Sequence, residues 1–315
     1  MNIPVKGKPA YGIRCATVLG ACPLLGALLV LLLVPSLSYA LEVAVVKSEG
    51  ISPYTEVLEG FRSSCNCTVR EINLTEYGRS DVAGRIEDME PDAVLAIGTD
   101  AFMQVKGLSV PVFYAMVLPS ASPADNKVSG VSMLVSPDLY FSHIAALFPD
   151  MKRVGVIHDP HATGAYIRAA GEAARARGME LVVKEVRRLR EVQPALESLR
   201  GKIDLLLLVP DTGLINSETI NSVLLFSFQH RVPLFAFSRK YVEMGALAAL
   251  NINARDIGVQ AGELVRMRLP GEKNKAPVQT DARKATLSFN RKVARKLGIK
   301  VREQGLRGAE EISLP

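Results

Sequence analysis

The sequence predicts an α/β protein of two doubly wound lobes with parallel sheets and a ligand cleft between the lobes. Three observations carry that prediction. Strand-like and helix-like segments alternate from residue 43 to residue 269, several strand-like runs are apolar at every position, and a turn-rich break divides the series in two. A run such as Leu205-Leu206-Leu207-Leu208-Val209 offers no polar face, as expected of a strand covered by helices on both sides. Repeated alternation of strand and helix is the pattern of a doubly wound sheet.

Taken in order, strands are expected at residues 43–46, 69–72, 93–97, 110–115, 154–158, 180–186, 204–209, 233–237 and 246–252. Helical periodicity falls between them, at 54–64, 82–89, 139–148, 164–177, 192–200, 220–230 and 257–269. The break is Leu118-Pro119-Ser120-Ala121-Ser122-Pro123-Ala124-Asp125-Asn126, rich in turn formers and without a period, and it leads toward a lobe crossing.

The N-terminus reads as a leader rather than as part of the fold. Lys6, Lys8 and Arg14 form a basic region, Leu24 to Val34 an apolar core, and Ser38-Tyr39-Ala40 a small-residue cleavage site. The apolar core is too short for a membrane span, and cleavage is expected after Ala40. Leu19-Gly20-Ala21-Cys22 is an alternative lipobox, but the strongest apolar stretch follows Cys22 instead of preceding it, so lipidation there is the lesser reading. Removing residues 1–40 takes three basic residues and no acidic one, which lowers the formal net charge from +6 to +3. The remaining excess is spread over helix faces, so no nucleic-acid partner is expected. The 275 residues that remain suffice for two lobes with separate cores.

The segment after Ala40 holds two cysteines, Cys65 and Cys67. An oxidising compartment permits a disulfide, but the ring is very small; free or redox-active thiols, a metal site with other ligands and a local pair on a loop are the other readings.

In such folds ligands bind at the carboxyl ends of the strands, where helix N-termini also offer free N–H groups. Gly98-Thr99-Asp100-Ala101 follows the third strand and opens a helix; Thr99 either meets a ligand carboxylate or serves only the helix. Ser48, Ser52 and Tyr54 occupy the loop after the first strand. His158-Asp159-Pro160-His161-Ala162-Thr163-Gly164-Ala165-Tyr166 is the most unusual loop, and its His and Asp residues suit a metal. No further ligand of fixed spacing follows, so the stronger reading has Thr163 capping the helix and polar edges facing a ligand. Asp211 and Ser238 hold equivalent places in later units, and Arg239 either forks a ligand carboxylate or pairs with Glu243. No Gly-x-Ser-x-Gly, Walker loop, Gly-x-Gly-x-x-Gly or His-Glu-x-x-His is present, and neither an enzyme nor a cofactor is expected.

The order of motifs resembles a known family. Val154-Gly155-Val156-Ile157, Asp204 to Asp211, Val232-Pro233-Leu234-Phe235, Gly245-Ala246-Leu247 and Asp256 to Gly262 follow the ABC-type substrate-binding proteins of the tryptophan/tyrosine-like group. Leu287 to Ile299 resembles that family's closing strand and helix, and Ala96-Ile97-Gly98-Thr99, Val110-Pro111-Val112-Phe113 and Ser129-Gly130-Val131-Ser132 match in the first half. The resemblance implies a type I periplasmic binding fold, capture of a small organic ligand, amino-acid-like or a carboxylate, and delivery to the membrane permease of an ABC importer by a monomer. It implies a first lobe of residues 41–129 and 250–275, a second of 130–249, and a tail of 276–315 packing across both. The implied ligand-binding residues are Ser48, Thr99, Asp100, Tyr114, Thr163, Tyr166, Asp211 and Ser238. Met116-Val117-Leu118-Pro119 stands where relatives often carry Asp-Pro, so an acidic group that would meet a ligand ammonium is missing there. The same cleft would also serve a ligand-sensing module for a membrane receptor.

Overall fold

The computed structural model describes residues 41–77, 81–118, 128–269 and 278–312, and Ala40–Pro315 forms one compact unit. The expected leader, Cys22 and residues 119–126 of the break lie outside the described residues.

The first sheet contains β1 (Glu42–Lys47), β2 (Thr68–Asn73), β3 (Ala93–Ile97), β4 (Val112–Val117), β5 (Ser129–Val135) and β11 (Gln279–Ala282), in the order β11-β5-β4-β3-β1-β2. All its pairings are parallel. The second contains β6 (Arg153–His158), β7 (Glu180–Glu185), β8 (Leu205–Leu207), β9 (Leu234–Ala236), β10 (Ala248–Ile252), β12 (Ala285–Phe289) and β13 (Glu310–Glu311), in the order β13-β12-β10-β9-β8-β6-β7. There β10 and β12 run antiparallel and the other pairs parallel. The helices are α1 (Ser52–Cys65), α2 (Leu74–Tyr77), α3 (Val82–Met89), α4 (Thr99–Val105), α5 (Pro137–Leu147), α6 (Pro160–Ala176), α7 (Val192–Leu199), α8 (Ser217–His230), α9 (Arg239–Met244), α10 (Ala254–Arg268) and α11 (Arg291–Leu297). Among the described residues no helix is long and apolar enough to cross a membrane.

The apolar pattern explains the layering. β3 is buried at all five positions because its side chains enter two cores: Ala93, Leu95 and Ile97 face α1 and α10, while Val94 and Ala96 face α3 and α4. The second sheet is likewise covered on both sides. The tightest contact joins α1 to α10. A Cβ at Gly258 would lie 1.9 Å from the Val57 carbonyl oxygen, and one at Gly60 1.9 Å from that of Arg255, so backbones touch where side chains would hold them apart.

The chain passes between the sheets at three neighbouring places: after β5, after β10 and between β11 and β12. Ser136 N donates to Ala282 O at 3.1 Å and Asn253 N to Lys284 O at 3.2 Å, which ties the three crossings together. Sheet membership therefore changes after Val135 and after Ile252, one strand or less beyond the expected edges at 129/130 and 249/250. The tail divides, with β11 in the first sheet and β12, α11 and β13 with the second.

Cys65 and Cys67 are disulfide-bonded. Cys65 ends α1 and is buried, and Cys67 lies in the short connection to β2 and packs on the first core. Asn66 between them has φ +55°, the left-handed C-cap conformation that asparagine tolerates.

Candidate functional site

Because the crossings leave the carboxyl ends of β5, β10 and β11, the carboxyl ends of both sheets gather at the hinge. In the first lobe Ser48, just past β1, donates its N–H to Ile97 O at 3.0 Å, and its Oγ accepts from Ala101 N at 2.9 Å. That hydroxyl thus serves the first turn of α4. Gly98 has φ +90°, and a Cβ there would lie 2.6 Å from Ser48 Oγ and 2.7 Å from the Tyr54 hydroxyl, so only glycine fits. Thr99 is half-buried and its Oγ1 accepts from Leu118 N at 3.3 Å, linking the ends of β3 and β4, while Asp100 is exposed. Burial raises the Tyr54 phenol above its ordinary pKa, with Glu49 and then Asp100 adding to the effect.

Tyr114 does not reach this rim. It is 1% exposed inside the first lobe, edge-on to Phe102 at 5.4 Å, with its ring over Gly130. On a strand buried on both faces the side chain turned to the helices, which corrects its expected place at a strand end. Two residues on, Met116 has φ +56° at a register shift between Ala115 and Val117, a bulge at the mouth of β4.

In the second lobe Asp211 organises two loops. Its carboxylate is 1% exposed; Oδ2 accepts from Asp159 N at 2.8 Å and Thr163 Oγ1 at 3.0 Å, and Oδ1 from Gly213 N at 3.1 Å. His158 Nδ1 lies 3.2 Å from Thr163 Oγ1, and burial lowers the His158 pKa against the opposing pull of Glu185 and Asp211. The α6 cap is Asp159, whose Oδ1 accepts from His161 N at 2.9 Å. The expected capping role of Thr163 is therefore filled two residues before His161, and Thr163 ties the loop inward instead. Among the described residues no three of His, Cys, Asp and Glu converge as metal ligands. Ser238, half-buried, opens α9 without a side-chain cap. Arg239 pairs with Glu243 at 2.8 Å and Glu310 at 3.3 Å.

The hinge brings Tyr166, one of the expected ligand residues, together with Asp281 and Asp256, which sequence reasoning did not single out. Tyr166, from α6, donates its hydroxyl to Val135 O at 2.8 Å, so it bridges the second lobe to the first crossing. Desolvation pushes its pKa well up, helped by Tyr140 and Asp281 nearby. Asp281 accepts from Ser132 Oγ at 2.6 Å across β11 and β5. Beside them Asp256 receives Arg283 at 3.1 Å and Lys284 at 2.9 Å, and Arg283 also reaches Glu263 at 2.7 Å.

Residues 80–313 match the sequence model of the family described as ABC transporter substrate binding protein. A "Tyrosine-binding protein" of Clostridioides difficile (strain R20291) is 29% identical over 204 residues, 61% of this chain and 58% of that relative, so the match spans less than two thirds of the relative's length. Three solved structures share the fold. A substrate-binding protein with adhesive properties from Clostridium difficile, in its ligand-free, open form, gives a TM-score of 0.63 at 19% identity, covering 87% of this chain and 99% of that one. An ABC domain in complex with L-Trp from Streptococcus pneumonia gives 0.55 at 19% identity over 87% and 100%. A conserved domain protein from Vibrio cholerae gives 0.55 at 21% identity over 87% and 100%.

Proposed function

Because the chain belongs to the family of ABC transporter substrate-binding proteins, we propose that it captures a small amino-acid-like solute between its lobes and delivers it to the permease of an ABC importer. The observation that carries the reading is the placement of polar strand-end loops from both sheets around one three-stranded hinge. The Ser48, Tyr54, Gly98 and Thr99 rim would face the ligand from the first lobe, and Ser238 with the Asp211-braced loops from the second. On this reading the described residues divide into one lobe within 41–135 and 254–282 and another within 136–253 and 285–312.

Capture by such a device needs orientation and closure, not chemistry on the ligand. Oriented donors in a cleft hold polar ends of the solute, and closing about the hinge reports occupancy to the membrane partner. Support for an amino-acid-like ligand comes from the relative named as tyrosine-binding and the fold neighbour solved with L-Trp. On this reading the protein works as a monomer outside the cytoplasmic membrane, after removal of residues 1–40 and without lipid on Cys22.

The test is calorimetric titration with L-tyrosine, L-tryptophan, a small dicarboxylate, a nucleoside and a sugar. Saturable one-to-one binding of an amino acid or carboxylate is expected. Saturable binding of only the nucleoside or the sugar, or of none of the five, would overturn the proposed ligand class.

A further inference from the structure

An amino-acid-like solute brings an ammonium that must leave water. An unpaired ammonium in a closed cleft is costly, so a carboxylate has to meet it. The hinge holds one. Asp281 lies at the end of β11, one residue before the chain begins to cross between the lobes, and accepts a hydrogen bond from Ser132 Oγ. The second lobe comes close to it, because the Tyr166 hydroxyl donates to Val135 O and Val135 stands opposite Ala282, the residue after Asp281.

The neighbouring charges make Asp281 distinctive. Arg283 and Lys284 follow it within three residues, but both turn to Asp256, which is only 7% exposed in its side chain, and Arg283 continues to Glu263. Among the described residues no cation forms an ion pair with Asp281, and Ser132 supplies its side-chain hydrogen bond. Desolvation raises the carboxyl's pKa, with Ser132 opposing. A half-buried carboxylate that keeps a cost for its charge is relieved by an incoming cation. Asp256 shows the contrasting state on the same hinge, since there the protein's own cations already fill that role.

We propose that Asp281, positioned by Ser132, receives the ammonium group of the captured solute. This rests on the capture reading above and narrows it to solutes with a primary ammonium. Tyr166, bound to Val135 O, forms the second-lobe wall of the same subsite.

The experiment compares wild type, Asp281→Asn and Ser132→Ala by calorimetric titration. The probes are L-tyrosine, tyramine, which keeps the ammonium and lacks the carboxylate, and 3-(4-hydroxyphenyl)propionate, which keeps the carboxylate and lacks the ammonium. Asn retains the shape and an acceptor for Ser132 while removing the charge. The melting temperature of Asp281→Asn should therefore equal or exceed that of wild type. L-tyrosine and tyramine should lose roughly ten- to a hundred-fold in affinity to Asp281→Asn, as expected for a charged hydrogen bond, and the propionate should lose none. Ser132→Ala should weaken L-tyrosine by less. Equal affinity of wild type and Asp281→Asn for L-tyrosine would overturn the assignment. Wild type binding the propionate as tightly as L-tyrosine would overturn it while leaving capture intact, whereas wild type binding neither these three probes nor L-tryptophan would sink the amino-acid reading together with it.

Discussion

Asp211→Ala should be the most damaging single change among the strand-end residues, and its cost can be worked from the contacts. The carboxylate satisfies three donors, the buried Thr163 hydroxyl and the part-buried Asp159 and Gly213 N–H groups. Truncation removes this partner from all three, leaving the Thr163 hydroxyl with His158 Nδ1 and Asp159 O, and each donor left unmet costs about 1–3 kcal/mol. Two effects offset part of that: the desolvation cost of the charge disappears, and water enters the opened loop. Taking about 1 kcal/mol for each donor gives a loss near 3 kcal/mol. Asp211→Asn keeps an acceptor for Gly213 N and should lose about half as much. Thr163→Val should cost about 1 kcal/mol, and the double variant Asp211→Ala, Thr163→Val should fall short of additivity by a similar amount, because the two share one hydrogen bond. The assay is equilibrium urea unfolding followed by circular dichroism, with ligand affinity measured on the same samples. A loss for Asp211→Ala within about 0.5 kcal/mol of wild type, the range of an ordinary surface change, would refute the bracing role.

Three further outcomes follow from the same contacts. Gly258→Ala should cost about 3 kcal/mol or leave the protein insoluble, since its Cβ meets backbone and α1 and α10 must separate, whereas Gly171→Ala in α6, with nothing within 4 Å, should gain about 0.5–1 kcal/mol; urea midpoints measure both. His158 is buried with a lowered pKa, so the folded state resists its protonation: stability should be full above about pH 6.5 and fall as the pH drops below it, and His158→Gln should flatten that slope in urea midpoints taken from pH 7.5 to 5. Cys67→Ala should cost about 1.5 kcal/mol at most, because the closed loop is short, and Cys65→Ala should cost more, because its sulfur fills the core beside α10; thermal denaturation with and without reductant checks the order.

Much of the fold was legible because a strand buried on both faces has no alternative in sequence space. The expected strand 93–97 and helix 82–89 match β3 and α3 to the residue. β5 was not among the expected strands, since Ser129, Gly130 and Ser132 interrupt any apolar run there. Gly130 is in fact required, as a Cβ there would fall 2.4 Å from the Tyr114 ring, and Ser132 is held by Asp281, 149 residues away. β11 was hidden for the same reason, being a polar edge strand that only its partner defines. At the site, position after a strand identified Ser48, Thr99, Thr163, Asp211 and Ser238 as strand-end residues. It could not tell which of them turn inward, because inward turning depends on loops that meet only in three dimensions. Asp211 and Thr163 serve each other, and Tyr114 serves the core. Asp281 carried no local signal at all, since its setting is made by Ser132, Tyr166 and cations drawn to Asp256.

The central claim is that two lobes close on a solute about the three-stranded hinge. Small-angle X-ray scattering on the purified protein, alone and saturated with the tightest amino acid found by titration, tests it most directly. The account predicts a smaller radius of gyration with ligand, reversed on dialysis, and a reduced change in Asp281→Asn at the same ligand concentration. An unchanged radius of gyration at saturation would contradict it.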